Sequence, residues 1–180
     1  MPDAHGRLES YLTLVLEGSN AALDAAHREL YPERIPENIP LCMTVLYPWI
    51  PMEELDEAEI ERAAAYFAGR PSLSFDLVRV AEFPEAVAYA VPEPDDELRA
   101  NMRGVYSLYP QCPPYGREGF DPPPHCTLGR LVGPCAITKE EARARVEPLL
   151  PAHYEVGAVT LMEEYEPDRM RVATTLPFAA

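Results

Sequence analysis

The segment that most constrains the fold of this chain is residues 122–130, which read PPPHCTLGR. Because proline has no N–H to donate to a β ladder, the three prolines belong before a strand and not inside it. A strand is therefore predicted from His125 onward. Side chains alternate between the two faces of a strand, so His125 and Thr127 project from one face, and Cys126 and Leu128 project from the other.

The two faces of this predicted strand differ in their chemistry. Cys126 and Leu128 are suited to a core, whereas His125 and Thr127 place an imidazole beside a hydroxyl. An imidazole titrates near neutral pH and can transfer protons. A hydroxyl next to it can hold an oxyanion. Taken alone, however, such a tripeptide is more often a core histidine beside a β-forming threonine, so a site needs a second feature.

Strand-like and helix-like segments alternate along the chain in the order β-α-β-α-β-β-α-β-α-β-β. Strands are predicted at about residues 11–16, 42–47, 73–77, 87–91, 125–130, 154–162 and 170–176, and helices at about 20–30, 53–68, 94–109 and 138–150. Residues 32–40 contain three prolines and are predicted to form an irregular loop. The two halves look alike, although no sequence repeat is visible. We therefore expect one α+β domain over residues 1–180, with two sheet-based lobes that meet at a cleft.

Charge and cysteine usage limit the partners and the compartment. The formal net charge is −15 and the arginines form no basic run, so binding to long nucleic acid is not expected. The four cysteines form no CxxC pair, so neither a zinc site nor a redox motif is indicated. The sequence shows no cationic-then-apolar leader and no apolar run of about 18 residues. We expect a cytoplasmic protein that does not associate with a membrane.

A second predicted strand repeats the spacing of the histidine motif. Residues 41–46 read LCMTVL, and Cys42 stands two positions before Thr44, as His125 stands two positions before Thr127. One such segment lies in each half of the chain. With these segments, with TVLYP at residues 44–48 and with the run that ends in Arg130, the chain resembles the two-histidine (2H) phosphoesterases. This superfamily includes the so-called 2′-5′ RNA ligases, and the resemblance extends to about residue 178.

The resemblance implies a fold and a metal-independent chemistry. The fold is α+β, with two antiparallel sheets that face each other across a central cleft and with helices outside. In the family, one histidine acts as a general base and the other as a general acid at a phosphodiester, while threonine hydroxyls hold the phosphate oxygens. The implied site residues here are His125, Thr127, Thr44 and Cys42. The implied substrate is a small phosphoester or nucleotide with a cyclic phosphate or a 2′,5′ linkage, and no cofactor is expected.

The first histidine of the family pattern is Cys42 in this chain. A thiol has an unperturbed pKa near 8.5 and is a poor proton shuttle at neutral pH. Three hypotheses follow: a weakened or altered phosphodiesterase that uses His125, a non-catalytic module that keeps the phosphate cleft, and a repurposed enzyme in which Cys42 is a thiolate nucleophile beside His125. The third hypothesis requires the side chains of Cys42 and His125 to lie within hydrogen-bond distance. In the family, however, a phosphate separates the two motifs. Alternatively, Cys42 only fills the place of a lost imidazole.

Three further side chains are predicted to contact the substrate. Arg130 follows the motif and is suited to neutralise a phosphate, although a surface ion pair would also explain an arginine there. Tyr47 and Tyr115 are suited to stack on a base or ring, although aromatic residues at such positions are more often part of a core. We expect a monomer whose partner is a small molecule.

Overall fold

One antiparallel sheet of eight strands organises the computed structural model, which describes residues 6–179. The strands are β1 (Ser10–Val15), β2 (Cys42–Leu46), β3 (Leu73–Phe83), β4 (Val87–Glu93), β5 (Cys126–Arg130), β6 (Ala152–Val156), β7 (Ala158–Glu166) and β8 (Arg169–Pro177). The α-helices are α1 (Ala21–Leu30), α2 (Arg34–Glu37), α3 (Glu57–Ala68), α4 (Asp96–Leu108) and α5 (Lys139–Val146), with 3-10 turns at Pro114–Gly116 and Glu147–Leu149. The predicted α+β class is confirmed.

The sheet consists of two four-stranded halves. The strands lie in the spatial order β6-β3-β4-β5-β2-β1-β7-β8. The halves β6-β3-β4-β5 and β2-β1-β7-β8 meet where β2 pairs with β5 through the single residue pair Met43–Cys126. The two expected sheets are therefore joined edge to edge, and the two motif strands form the junction between them.

The helices interlock the two halves. Helix α1 follows β1 but packs against β5 of the other half, and α4 follows β4 but packs against β2. Helix α3 covers β8, and α5 covers β3. One continuous hydrophobic core lies between the helices and the sheet and includes Leu12, Leu14, Leu41, Phe67, Phe75, Leu128 and Tyr154. The junction is thus held from behind by elements of both halves.

Polar side chains fix where the helices begin. The Asn20 side chain accepts a hydrogen bond from the Leu23 N–H at the start of α1. The capping box predicted for residues 138–141 is present: the Thr138 hydroxyl accepts from the Glu141 N–H, and the Glu141 carboxylate accepts from the Thr138 N–H.

Two sequence predictions were wrong in detail. The strand predicted at residues 154–162 is two strands, β6 and β7, separated by Gly157, and they pair with β3 and β1 in different halves of the sheet. The alternation of β6 runs without a proline or a charged turn into the apolar start of β7, so the sequence pattern does not show the break between them. The loop predicted at residues 32–40 contains the short helix α2, with Pro36 inside its single turn. Within residues 6–179, no helix is both long enough and apolar enough to cross a membrane.

Candidate functional site

The two motif segments lie side by side at the junction of β2 and β5. Met43 is opposite Cys126, and their side chains are 1% and 0% exposed on the helix-covered face. Cys126 is thus the buried free thiol that its position predicts. This pair fixes the register of the β2 and β5 residues that lie on the opposite, open face of the sheet.

On the open face, the antiparallel register places the motif residues diagonally. One step from the junction pair, Thr44 lies next to His125 on one side and Cys42 lies next to Thr127 on the other. Cys42 and His125 are therefore diagonal neighbours, a relation in which two residues lie about 7–8 Å apart. The antiparallel register thus brings the four motif residues to one face of the sheet.

His125 is held in one tautomer. Its Nδ1 lies 2.8 Å from the Pro123 carbonyl oxygen, which can only accept, so Nδ1 carries the proton and Nε2 is an acceptor. The ring packs edge-on against Phe83, with 4.9 Å between centroids, and also contacts Tyr89. Burial lowers the pKa of His125, against the hydrogen bond to Pro123, which raises it. The imidazole is therefore neutral at pH 7 and can accept a proton.

The strand begins one residue later than predicted. β5 starts at Cys126, and His125 precedes it at the end of the proline run. The Pro123 carbonyl is free to accept from the imidazole because residues 121–125 form no ladder. The prolines thus both end the loop and orient the histidine.

Tyr115 connects the two motifs. Its hydroxyl lies 3.4 Å from Nε2 of His125 and shares a hydrogen bond with the Thr44 side chain. Its N–H donates to the Tyr47 carbonyl at 2.6 Å, and its φ of 54° is a left-handed conformation that is strained for a residue other than glycine. Burial raises the pKa of Tyr115 to about 12, so its phenol stays protonated at neutral pH. The hydroxyl occupies the space between Thr44 and His125.

Cys42 is partly buried and uncharged. Its thiol shares a hydrogen bond with Thr13 on the neighbouring strand β1. Burial raises the pKa of Cys42, and this effect exceeds the opposing effects of the Thr13 hydrogen bond and of the Arg34 charge. At neutral pH the group is a thiol.

The other two residues predicted to bind substrate lie at the margins of the site. The Tyr47 hydroxyl donates a hydrogen bond to the Glu9 carboxylate and so points away from the motif residues. Tyr47 contacts Tyr115 through its backbone carbonyl and through an edge-on contact between the two rings. Arg130 ends β5, and its Nε donates to the Tyr31 hydroxyl at 3.0 Å. Arg130 is thus anchored toward the segment that contains α2.

Two residues on the same side of the sheet as the motif residues were missed by the sequence analysis. The Arg34 guanidinium on α2 lies 4.7 Å from the centre of the Tyr31 ring and bonds the Glu37 carboxylate at 3.1 Å. Tyr11 on β1 is 5% exposed, and its hydroxyl is buried without a hydrogen-bond partner among the described residues. Strand alternation places Tyr11 on the same face as Thr13, and this pattern in the sequence could have identified Tyr11. Arg34 lies in a segment whose helix was not predicted.

A pocket of about 390 Å³ adjoins this side of the site. Its walls come from β1, α1, the α2 segment, β7 and β8, and include Val15, His27, Arg28, Tyr31, Arg34 and Met162. Within residues 6–179, no three His, Cys, Asp or Glu side chains are grouped so that they could hold a metal ion.

Residues 6–168 match the model of one protein family, the 2′-5′ RNA ligase superfamily. The chain belongs to the 2′-5′ RNA ligase superfamily. This confirms the superfamily that the paired motifs suggested and supports a phosphoesterase-like or RNA ligase-like activity. No curated protein matches the chain by sequence.

Solved structures share the fold of this superfamily member. TT0787 of Thermus thermophilus superposes with a TM-score of 0.59 at 19% identity, over 94% of this chain and 97% of that one. LigT of E. coli, solved with 3′-AMP, superposes with a TM-score of 0.56 at 17% identity, over 97% of this chain and 99% of that one. LigT has also been solved with ATP and with phosphate, at TM-scores of 0.54 and 0.54. At these identities the likeness shows the fold.

Proposed function

We propose that this protein is a 2H-type phosphodiesterase that acts on a small nucleotide or other phosphoester, with His125 as its acid–base group. The observation that carries the proposal is the fixed tautomer of His125. The Pro123 carbonyl holds the proton on Nδ1, and Nε2 faces the space between the motifs. Since burial keeps the ring neutral at pH 7, Nε2 can take a proton from an attacking water or hydroxyl.

The residues around Nε2 are suited to hold a phosphate. The Thr44 and Thr127 hydroxyls flank the gap between the motif strands and can donate to phosphate oxygens. Arg130 offers a fixed positive charge at the edge of the site. The Tyr115 hydroxyl already bonds both Thr44 and His125, so an incoming phosphate oxygen would take the place of that hydroxyl. Tyr115 and Tyr47 would then line the phosphate from the loop side.

The buried, protonated state of Cys42 favours this role over a cysteine nucleophile. We propose that Cys42 stands where the first motif histidine of the superfamily stands. As diagonal neighbours about 7–8 Å apart, Cys42 and His125 could flank a phosphate between them. Burial raises the pKa of Cys42, whereas a nucleophilic cysteine needs a lowered one. A ligand-binding module without catalysis remains the second candidate, because Cys42 supplies no second imidazole.

We further propose a metal-independent monomer that acts in the cytoplasm on a small molecule and not on long nucleic acid. The net charge of −15 supports the exclusion of long polyanions. All four cysteines are free, as is usual for proteins of a reducing compartment. The pocket beside Arg34, about 390 Å³, is of a size that binds small organic molecules.

The proposal is tested by hydrolysis of 2′,3′-cyclic nucleotides and of 2′,5′-linked dinucleotides. His125→Ala should lower kcat by roughly 10²–10⁴-fold, because it removes a proton-transfer group. Cys42→Ala should change kcat little. His153→Ala is the matched control, since this histidine is exposed on β6 at the outer edge of the sheet. Turnover that survives His125→Ala contradicts the proposal, and nucleotide binding without turnover in the wild type indicates the binding module.

A further inference from the structure

The pocket of about 390 Å³ borders the candidate site at two places. Val15, the last residue of β1, lines the pocket and is paired directly with Cys42 of the first motif. Neighbouring strands lie about 4.7–4.9 Å apart, so the pocket begins one strand away from Cys42. Tyr31 also lines the pocket, and its hydroxyl accepts a hydrogen bond of 3.0 Å from Arg130 at the end of β5. The pocket therefore adjoins the space between the motifs on the Cys42 side.

The walls of this pocket expose apolar side chains. Ile35 on α2 is 59% exposed and Val172 on β8 is 55% exposed, although both are large hydrophobic residues. They line the same pocket from different elements, together with Met162 of β7 and with Ile39. Exposed apolar side chains around a concavity are typical of a ligand-binding site. A ligand with an apolar surface would cover them.

The positive charges on the walls are balanced within the protein. The Arg28 guanidinium is paired with the Glu17 carboxylate. The Arg34 guanidinium is paired with the Glu37 carboxylate at 3.1 Å and lies 4.7 Å from the centre of the Tyr31 ring. Because each guanidinium has its own carboxylate, the pocket is poorly suited to a second phosphate. Guanidinium groups and apolar side chains both stack on nucleobases, so the walls favour an uncharged planar ring.

The direction of the proposed reaction indicates which ring would lie there. In an in-line displacement, the attacking and leaving oxygens lie on opposite sides of phosphorus. His125 takes a proton from the attacking water, and Cys42 is its diagonal neighbour across the junction of the motif strands. The leaving oxygen is therefore on the Cys42 side, next to the pocket.

We propose that this pocket binds the base of the leaving nucleoside, and that the preferred substrate is a linear dinucleoside phosphodiester. This inference rests on the phosphodiesterase function proposed above. In each turnover, the oxygen of water bonds to phosphorus, and the bond from phosphorus to the 5′-oxygen of the leaving nucleoside breaks. Nε2 of His125 takes one proton of that water and returns it to solvent, and the leaving oxygen receives one proton from solvent. A cyclic phosphate has no separate leaving nucleoside and would leave the pocket empty.

Variation of the leaving group tests this site. Two esters of adenosine 2′-phosphate are compared, one with ethanol and one with the 5′-hydroxyl of a second adenosine. Both leaving oxygens are primary alkoxides, but only the second ester brings a base to the pocket. The wild type should cleave the dinucleoside with a kcat/KM roughly tenfold above that of the ethyl ester. The double substitution Ile35→Ser and Val172→Ser should abolish this preference and leave kcat/KM on the ethyl ester within about twofold.

The matched control is Val132→Ser. Val132 is 50% exposed, lies between β5 and α5, and is not among the residues that line the pocket. It should leave both values unchanged. Equal losses on both esters in the double variant would place the other nucleoside in the pocket, and an unchanged preference, or none in the wild type, would show that no leaving base binds there. Each of these results overturns the inference and leaves the proposed function intact. A wild type that turns over neither ester contradicts the phosphodiesterase function itself, and the inference falls with it.

Discussion

The stability of this protein should fall when the pH is lowered from 7 to 5, mainly because of His27. This histidine on α1 is 5% exposed, and burial lowers its pKa from 6.5 to about 4, with a further lowering by the Arg34 charge. The folded state therefore holds the neutral ring where the unfolded state binds a proton. The stability that this difference supplies is fully present above pH 6.5 and is lost as the pH falls toward 4.

The magnitude follows from the two pKa values. A pH of 5 lies about 1.5 units below the pKa of His27 in the unfolded state, so that ring is protonated there. The ring in the folded state is almost unprotonated at the same pH. At about 1.36 kcal/mol per pH unit, the unfolded state gains about 2 kcal/mol relative to the folded state. Below pH 4 both states bind the proton, and the loss levels off at about 3 kcal/mol.

Urea denaturation of the wild type and of His27→Gln at pH 7 and pH 5 measures this contribution. The free energy of unfolding of the wild type should fall by about 2 kcal/mol more than that of the variant. The quantity compared is the decrease in unfolding free energy between pH 7 and pH 5 in each protein. The cost of the substitution itself and the contribution of His125, whose pKa burial also lowers, are common to both measurements and cancel. Equal falls in the two proteins would show that His27 is not held neutral.

Three further predictions concern the motif strands and the surface charge. Cys42→His should raise 2′,3′-cyclic nucleotide hydrolysis by something approaching 10²-fold, the low end for a proton-transfer group, and an unchanged rate would show that position 42 does not face the phosphate. Gly129→Ala should lower the free energy of unfolding by about 1–3 kcal/mol, because its Cβ would lie 2.8 Å from the Leu30 carbonyl and 2.5 Å from Ile137 Cδ1; an unchanged urea midpoint would contradict this. A filter assay with a random 20-mer RNA should detect no tight binding, and strong salt-sensitive retention would reveal a basic patch.

The sequence predicted the parts of the site that lie on regular strands. Alternation along an extended segment is a local property, so it predicted that Cys42 and Thr44 project together from one segment and that His125 and Thr127 project together from the other. The diagonal relation between the motifs depends on the single junction pair, Met43–Cys126, which no local pattern contains. The sequence therefore indicated which residues belong together but not which pairs are neighbours.

The contacts that the sequence did not reveal depend on irregular segments or on pairing between strands. Arg34 lies on the single turn of α2, which packs against β8, and three prolines obscured that turn in the sequence. Tyr115 reaches His125 through a left-handed residue, a conformation that sequence patterns rarely indicate outside glycine and asparagine.

A crystal structure with bound inorganic phosphate tests the central claim most directly. The phosphate should lie between the two motif strands, within hydrogen-bond distance of Nε2 of His125 and of the Thr44 and Thr127 hydroxyls. The Tyr115 hydroxyl should have moved away from His125, because it now occupies that space. Phosphate bound elsewhere, with the contact between Tyr115 and His125 intact, would contradict the assignment of this junction as a phosphodiesterase site.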